Sequence, residues 1–549
     1  MGVNVVAPNY LSLLLCLGIS AALVLFYLYG IVPFVLLPAD ILMWAESSFV
    51  GDIIKLRIGA PLYGPPADSN STIYTPGATL ATYAISWLVG APTSIGVWRV
   101  IHLGYVACAA LLATACCRML YGLTYPGKPV PYPRTWISFT FLVLFLASTE
   151  SRTNRFAHAL HADALALLVS VFSFWTMLMY QRSPERRNLL LMAVCPAIGF
   201  FTKQYLISWS AVMLVFLLLR NPKDARTLAA FAAAAATGII SVVGVCYWLW
   251  GDNFLFWTFE VTGGSRKALG LWPESYNLSL SRGAEHLLRA WLALAIGVLG
   301  GWLVLREHNI QRLGPLWVSW LVLVASEALS SSAGWGALYH FGPGVVLGAV
   351  WLCCALARWW LTGECTPGDE YPRLTYWVRP LGGIVAVITL FVVLQVVPSA
   401  DRREARYWRV RHPSADVHRY ISDIEGEFRG LSADRVLLDV GSWVYLGSSV
   451  VAKDRAVPLG DQAPAGIYGN FDVMIERIKR KAYAKILVRN LHSPFFLYDW
   501  SDWPRPSGVR KALSEHYTEV RTIPGARGES HLPPRISHTG PVSVLVPKE

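Results

Sequence analysis

Two carboxylates open the chemistry of this chain. Asp40 is the first charged side chain in the sequence and follows a long apolar run, and Glu46 comes soon after it. An acid at a membrane boundary is costly unless it is solvated, paired or working. A carboxylate there can take the proton of an acceptor hydroxyl as a general base. The competing use is structural, an acid capping the N-terminus of the next helix. The residue types alone leave both readings, and both acids, open. Asp52 follows, with Lys55 and Arg57 as ready ion-pair partners.

Other reactive groups gather in the same kind of setting. Tyr63 closes Gly59-Ala-Pro-Leu-Tyr63, and Tyr74 opens Tyr74-Thr-Pro-Gly77. Arg152 and Arg155 precede His158, His161 and Asp163. Paired guanidinium groups suit bidentate phosphate binding. His158 and His161 share one face if helix already runs there, with Asp163 off that face. Zinc needs further ligands in a closed set, so a hydrogen-bonded His–Asp cluster shaping a pocket is the better reading. Lys203, in Gly199-Phe-Phe-Thr-Lys-Gln-Tyr205, lies between two apolar stretches. It must snorkel, pair internally or bind an anion such as a lipid phosphate. Arg266 follows a double glycine and can neutralise a leaving phosphate. Trp335, Tyr339 and His340 end the stretch Ser332 to His340. Aromatic faces beside hydrogen-bonding groups suit a sugar ring, and they also suit an interfacial belt.

The elements that position these groups are membrane helices. The chain has 549 residues, 54% hydrophobic and only 15% charged, against roughly 25% charged in soluble domains. Its 23 Trp and 24 Tyr fit two interfacial belts. The net charge of +12 comes with no nucleic-acid reading module, so basic residues flanking membrane spans explain it. The nine cysteines have neither metal-ligand spacing nor a legible disulfide framework. Residues 11–38 lack the basic start and cleavage site of a secretory signal and read as a span.

Spans of about 20 apolar residues are expected near 11–37, 98–118, 135–149, 161–180, 189–203, 205–219, 228–249, 286–305, 314–330, 339–361 and 380–398. Residues 189–219 read as a tight or partly broken hairpin, and 78–90 as a short interfacial helix. Arg118, Lys128, Arg134, Arg182, Arg186, Arg187, Arg220, Lys223, Arg226, Arg306 and Arg312 concentrate in one set of loops. The positive-inside rule puts those loops and the N-terminus in the cytoplasm. Loops 39–97 and 250–285 and the chain beyond residue 399 then lie outside. The expected organisation is a polytopic helical membrane domain over 1–398, with about 11 transmembrane helices, and a small extracytoplasmic α/β domain over 399–549. A basic neck, Arg402 to Arg411, joins them. In the second domain, strands are expected at 435–440 and 484–488 and helices at 471–481 and 508–517. No dinucleotide fingerprint opens either helix.

The order of these parts resembles the GT-C superfamily of membrane glycosyltransferases, in its bacterial lipid-A and mannosyl/arabinosyl transferase branch. The resemblance runs through Asp40 to Glu46, Gly59 to Tyr63, Tyr74 to Gly77, His161-Ala-Asp163, Thr202-Lys203 and Gly334 to His340. It implies a polyprenyl-phosphate-linked sugar donor, a glycan or lipid acceptor, and a multi-pass protein of the bacterial inner membrane with an extracytoplasmic site. It carries the catalytic acid onto Asp40 or Glu46. The separation of these acids departs from the family's frequent paired Asp-Glu and leaves the base open. Lys203, with Arg152, Arg155 or Arg266, is expected to face the donor phosphate. Tyr63, Tyr74, His161, Asp163, Trp335, Tyr339 and His340 are expected around the sugar or acceptor. A divalent cation (Mg2+, Mn2+ or Ca2+) serves some members only, so no cofactor is fixed. A flippase for lipid-linked glycans would predict an internal repeat, and none is seen. A non-catalytic envelope scaffold is the third reading.

Overall fold

A computed structural model describes residues 7–41, 44–66, 71–130, 132–150, 153–154, 156–261, 280–306, 310–332, 338–361, 415–431, 435–438, 472–489, 491–492, 508–526 and 540–549. The N-terminal part is helical. Helix α1 covers Ala7–Leu36, α2 Trp44–Ile58, α3 Gly77–Leu88, α4 Ile95–Thr124, α5 Pro133–Ser148 and α6 Asp163–Arg182. There follow α7 Arg186–Thr202, α8 Trp209–Arg220, α9 Ala225–Trp250 and the short α10 Asp252–Leu255, which runs into a π-helical turn. Helices α11 Leu280–Leu305, α12 Ile310–Ser331 and α13 Gly342–Leu361 complete it.

Among the described residues five helices are long and apolar enough to cross a membrane, or six if the bent pair Gly283–Trp291 and Ala293–Leu305 is one span. The chain is a multi-pass membrane protein. Every segment expected as a span up to residue 361 is helical, and residues 380–398 and the basic neck lie outside the described residues. Helix α3 falls where the short interfacial helix was expected. Lipid depth leaves no water for stray polar groups. Hydroxyls in these helices bond back one turn, as Thr114 to Ala110 O and Ser173 to Val169 O do.

The bundle is knitted by long-range packing. Helix α4 lies against α5 and α6, α6 against α7, and α7 against α9, while α13 packs on α11 and reaches α4 and α5. Helix α1 packs on α5, and α3 packs against α2, α4 and α7. The hairpin of α7 and α8 is broken at its tip. Lys203 is extended there (φ −160°, ψ 129°), and a 3-10 turn, Gln204–Ser208, leads into α8.

The C-terminal part forms a mixed sheet. Strands β1 (Val436–Leu438), β2 (Lys485–Arg489), β3 (Tyr517–Ile523) and β4 (Val542–Pro547) stand in the order β1-β2-β4-β3. The β1–β2 pair is parallel, with Val436 opposite Lys485, and the other two pairs are antiparallel. A parallel pair needs a crossover, and helix α15 (Asp472–Lys479) lies within it, following α14 (Ala415–Phe428) in the chain. Helix α16 (Val509–His516) precedes β3. Glu427 on α14 binds Lys485 at 2.8 Å and Arg521 at 2.6 Å, and so pins that helix to the sheet.

Candidate active site

The turn carrying Asp40 lies between α1 and α2 and is built around one arginine. Ser94 caps α4 by accepting the Val97 N–H at 3.3 Å, which starts the helix in a register that buries Arg99. Arg99 Nη1 donates to Phe34 O and Leu37 O, both at 2.7 Å, and Nη2 donates to Ala39 O at 2.9 Å. Nε donates to Glu46 Oε1 at 2.9 Å and Nη2 to Glu46 Oε2 at 2.5 Å. A guanidinium has five N–H donors, and these five bonds use them all. Its plane also lies over the Phe34 ring, 4.2 Å from the centroid. The last carbonyls of a helix lack intrahelical donors; here Arg99 supplies them.

Glu46 has a second duty. Its Oε1 accepts the Leu160 N–H at 3.0 Å, tying the segment before α6 to the start of α2. Asp40 follows Ala39 directly and is buried, at 1% exposure. The two acids therefore differ in environment. Glu46 is locked by a bidentate cation and a backbone donor, whereas Asp40 occupies the turn that the lock holds.

A second cluster stands beside the first. Asp163 opens α6, where the helix dipole favours a negative group. Lys203 Nζ donates to Asp163 Oδ1 at 2.6 Å, and His161 Nδ1 makes a very short contact with Oδ2 of the same carboxylate. His161 Nε2 lies 3.4 Å from the Tyr74 hydroxyl, and its ring stacks on Phe156 at 4.3 Å. Lys203 Nζ sits 5.7 Å from the Tyr74 ring centroid and 5.3 Å from that of Tyr205. Tyr205 in turn meets the His340 ring at 4.9 Å.

The loop after α2 braces this cluster. Tyr63 OH donates to Tyr74 O at 2.6 Å, and Trp257 Nε1 donates to Gly64 O at 2.7 Å. Burial and the nearby Asp52 raise the Tyr63 hydroxyl well above its ordinary range, so it stays protonated and donates. Asp52 itself pairs with Lys55 at 3.2 Å. Gln204 Nε2 reaches Ile73 O at 2.5 Å. Gly77 begins α3 against the end of α7; a Cβ there would stand 2.5 Å from Phe201 O, so the close approach requires glycine.

The structure thus brings Tyr74, His161, Asp163, Lys203 and His340 together, with Tyr63 behind Tyr74. It corrects one expectation. His158 and His161 do not share a helical face, because α6 begins only at Asp163. His158 turns instead to α1, 3.2 Å from the Tyr27 hydroxyl and edge-on to Phe34. Arg152, Arg155, Arg266 and Trp335, and the side chain of Tyr339, lie outside the described residues. Among the described residues no three His, Cys, Asp or Glu side chains gather to hold a metal. The carboxylates of Glu46 and Asp163 are committed to Arg99 and Lys203.

No family model matches the sequence, and no curated protein matches it closely enough to count as a relative. Solved structures do match. ArnT from Cupriavidus metallidurans bound to undecaprenyl phosphate superposes with a TM-score of 0.55 at 14% identity, covering 96% of this chain and 98% of that one. Its apo form gives 0.54 at 15% identity. The apo oligosaccharyltransferase of Archaeoglobus fulgidus gives 0.52 at 9% identity, over 94% of this chain and 73% of that one. The chain has the GT-C fold.

Within the GT-C fold, two buried ionisable side chains went unforeseen. Arg99 reads in sequence as one more basic residue near a helix start, and its partners lie in distant segments. Glu327, an acid inside the apolar run of α12, is buried at 1% exposure. The signal was present, since an ionisable residue within a span is a functional candidate by default.

Proposed function

We propose that this GT-C protein is an inverting glycosyltransferase. It moves a sugar from a polyprenyl-phosphate donor to a hydroxyl of a cell-envelope glycan or lipid. The observation that carries the reading is the Arg99 lock, which ties up both oxygens of Glu46 and holds the turn that ends in the buried Asp40, while Glu46 also accepts from Leu160, the neighbour of His161 in the cationic, aromatic cluster. The likeness to a structure that holds undecaprenyl phosphate supports the donor class.

Asp40 takes the acceptor proton as the acceptor oxygen bonds to the anomeric carbon. The bond from that carbon to the phosphate oxygen breaks with inversion, and the polyprenyl phosphate leaves with the electron pair. Lys203, aimed by Asp163 and flanked by the Tyr74 and Tyr205 rings, offsets the charge on the departing phosphate. His161, Tyr74 and His340 shape the pocket for the sugar. On the sequence alone, Arg152, Arg155 and Arg266 are further candidates for the phosphate, and Trp335 and Tyr339 for the sugar. The protein resides in the bacterial cytoplasmic membrane with eleven spans, a cytoplasmic N-terminus, and the site and the 399–549 domain outside.

The deciding experiment measures sugar transfer by the purified full-length protein in proteoliposomes with a polyprenyl-phosphate sugar. Asp40→Asn is expected to lower turnover by about 10²–10⁴-fold with donor binding and melting temperature retained. Full activity of this variant removes Asp40 from the mechanism.

A further inference from the structure

Glu327 lies buried in the last turns of α12, a helix long and apolar enough to cross a membrane. Its Oε1 accepts the Gly344 N–H at 3.0 Å, while Oε2 is buried with no hydrogen-bond partner among the described residues. Oε2 presses on the same residue, since a Cβ on Gly344 would stand 2.4 Å away. Two helical turns earlier, Trp320 Nε1 donates to Gly344 O at 2.8 Å. Both polar groups of one residue in the first turn of α13 are therefore held from α12. Just upstream of that turn stands the 3-10 segment Leu338–Phe341, with His340 against Tyr205 and Tyr205 beside Lys203.

An ionised carboxylate with one oxygen bare and a single amide donor on the other is expensive in a dry interior. A carboxylic acid in the same place needs no counter-ion and keeps its bond to Gly344. We propose that Glu327 carries a proton on Oε2 and acts as a neutral positioning residue. It fixes the α12–α13 junction, and through it seats His340 against Tyr205. Its bearing on sugar transfer rests on the function proposed above; the readouts below do not.

Infrared spectra of the full-length protein in lipid nanodiscs at neutral pH test the proton. The wild type is expected to show a protonated-carboxyl stretch that shifts on carbon-13 labelling of glutamate and disappears in Glu327→Gln. An unchanged band in that variant overturns the assignment. Seating is tested by amide hydrogen exchange across Phe341 to Val345. Glu327→Gln, neutral and still an acceptor, should keep the wild-type exchange rate. Glu327→Leu should speed exchange about tenfold, the scale of a lost buried hydrogen bond. Equal rates in all three proteins overturn the positioning role, and equal acceleration in both variants overturns the neutral state.

Discussion

Arg99 and Glu46 form a bidentate ion pair at 2.5 and 2.9 Å in which both side chains are fully buried. Such a pair gains little over an apolar replacement, but removing one member strands a buried charge and costs about 3–5 kcal/mol. Arg99→Ala and Glu46→Ala should each sharply lower the melting temperature in detergent. The double variant should lose less than the sum, because neither charge is then left alone. Strictly additive losses would show that the pair is not a unit. Asp40→Asn, by contrast, should melt close to wild type.

The Asp163–Lys203 pair predicts a different pattern. Lys203→Met should weaken the polyprenyl-phosphate donor about tenfold or more, since it removes a charge at the phosphate and strands Asp163. Lys203→Arg should recover part of this, because a guanidinium has another reach and shape. Combining Lys203→Met with Asp163→Asn should restore stability without restoring donor affinity. Donor titrations at fixed acceptor, read beside thermal melts, separate the two effects. Recovery of both would make the pair purely structural.

The proposed topology puts the mixed sheet outside the cytoplasm. Ser514 is exposed on α16. In intact cells with a permeabilised outer membrane, Ser514→Cys should react with a membrane-impermeant thiol reagent. Labelling only after lysis would reverse the orientation.

The spans were legible because a bilayer demands about 20 apolar residues in a row, a local property. The break at Lys203 was legible for the same reason, since a lone cation and Pro196 interrupt that run. Strands β1 and β2 and helices α15 and α16 lie where alternating patterns suggested them. The different surroundings of Asp40 and Glu46 were not legible. They depend on a guanidinium that reaches carbonyls 60 to 65 positions back along the chain, and no periodicity records such a contact. The His158–His161 pairing failed on a boundary, because i,i+3 reasoning holds only where helix exists. Asp163 and Lys203 are 40 positions apart, and only the tertiary fold brings their opposite charges together.

The carbonyls of Phe34, Leu37 and Ala39 wait for a side chain that the ribosome makes 60 to 65 residues later. At about 5–20 residues per second, that delay is on the order of several seconds. During it, the end of α1 lacks its donors and the Asp40 turn is without its clamp. The turn closes only when α4 arrives alongside. Biogenesis therefore leaves this turn open until the first helices have assembled. A chain truncated before Arg99 carries Asp40 without the side chain that holds its turn.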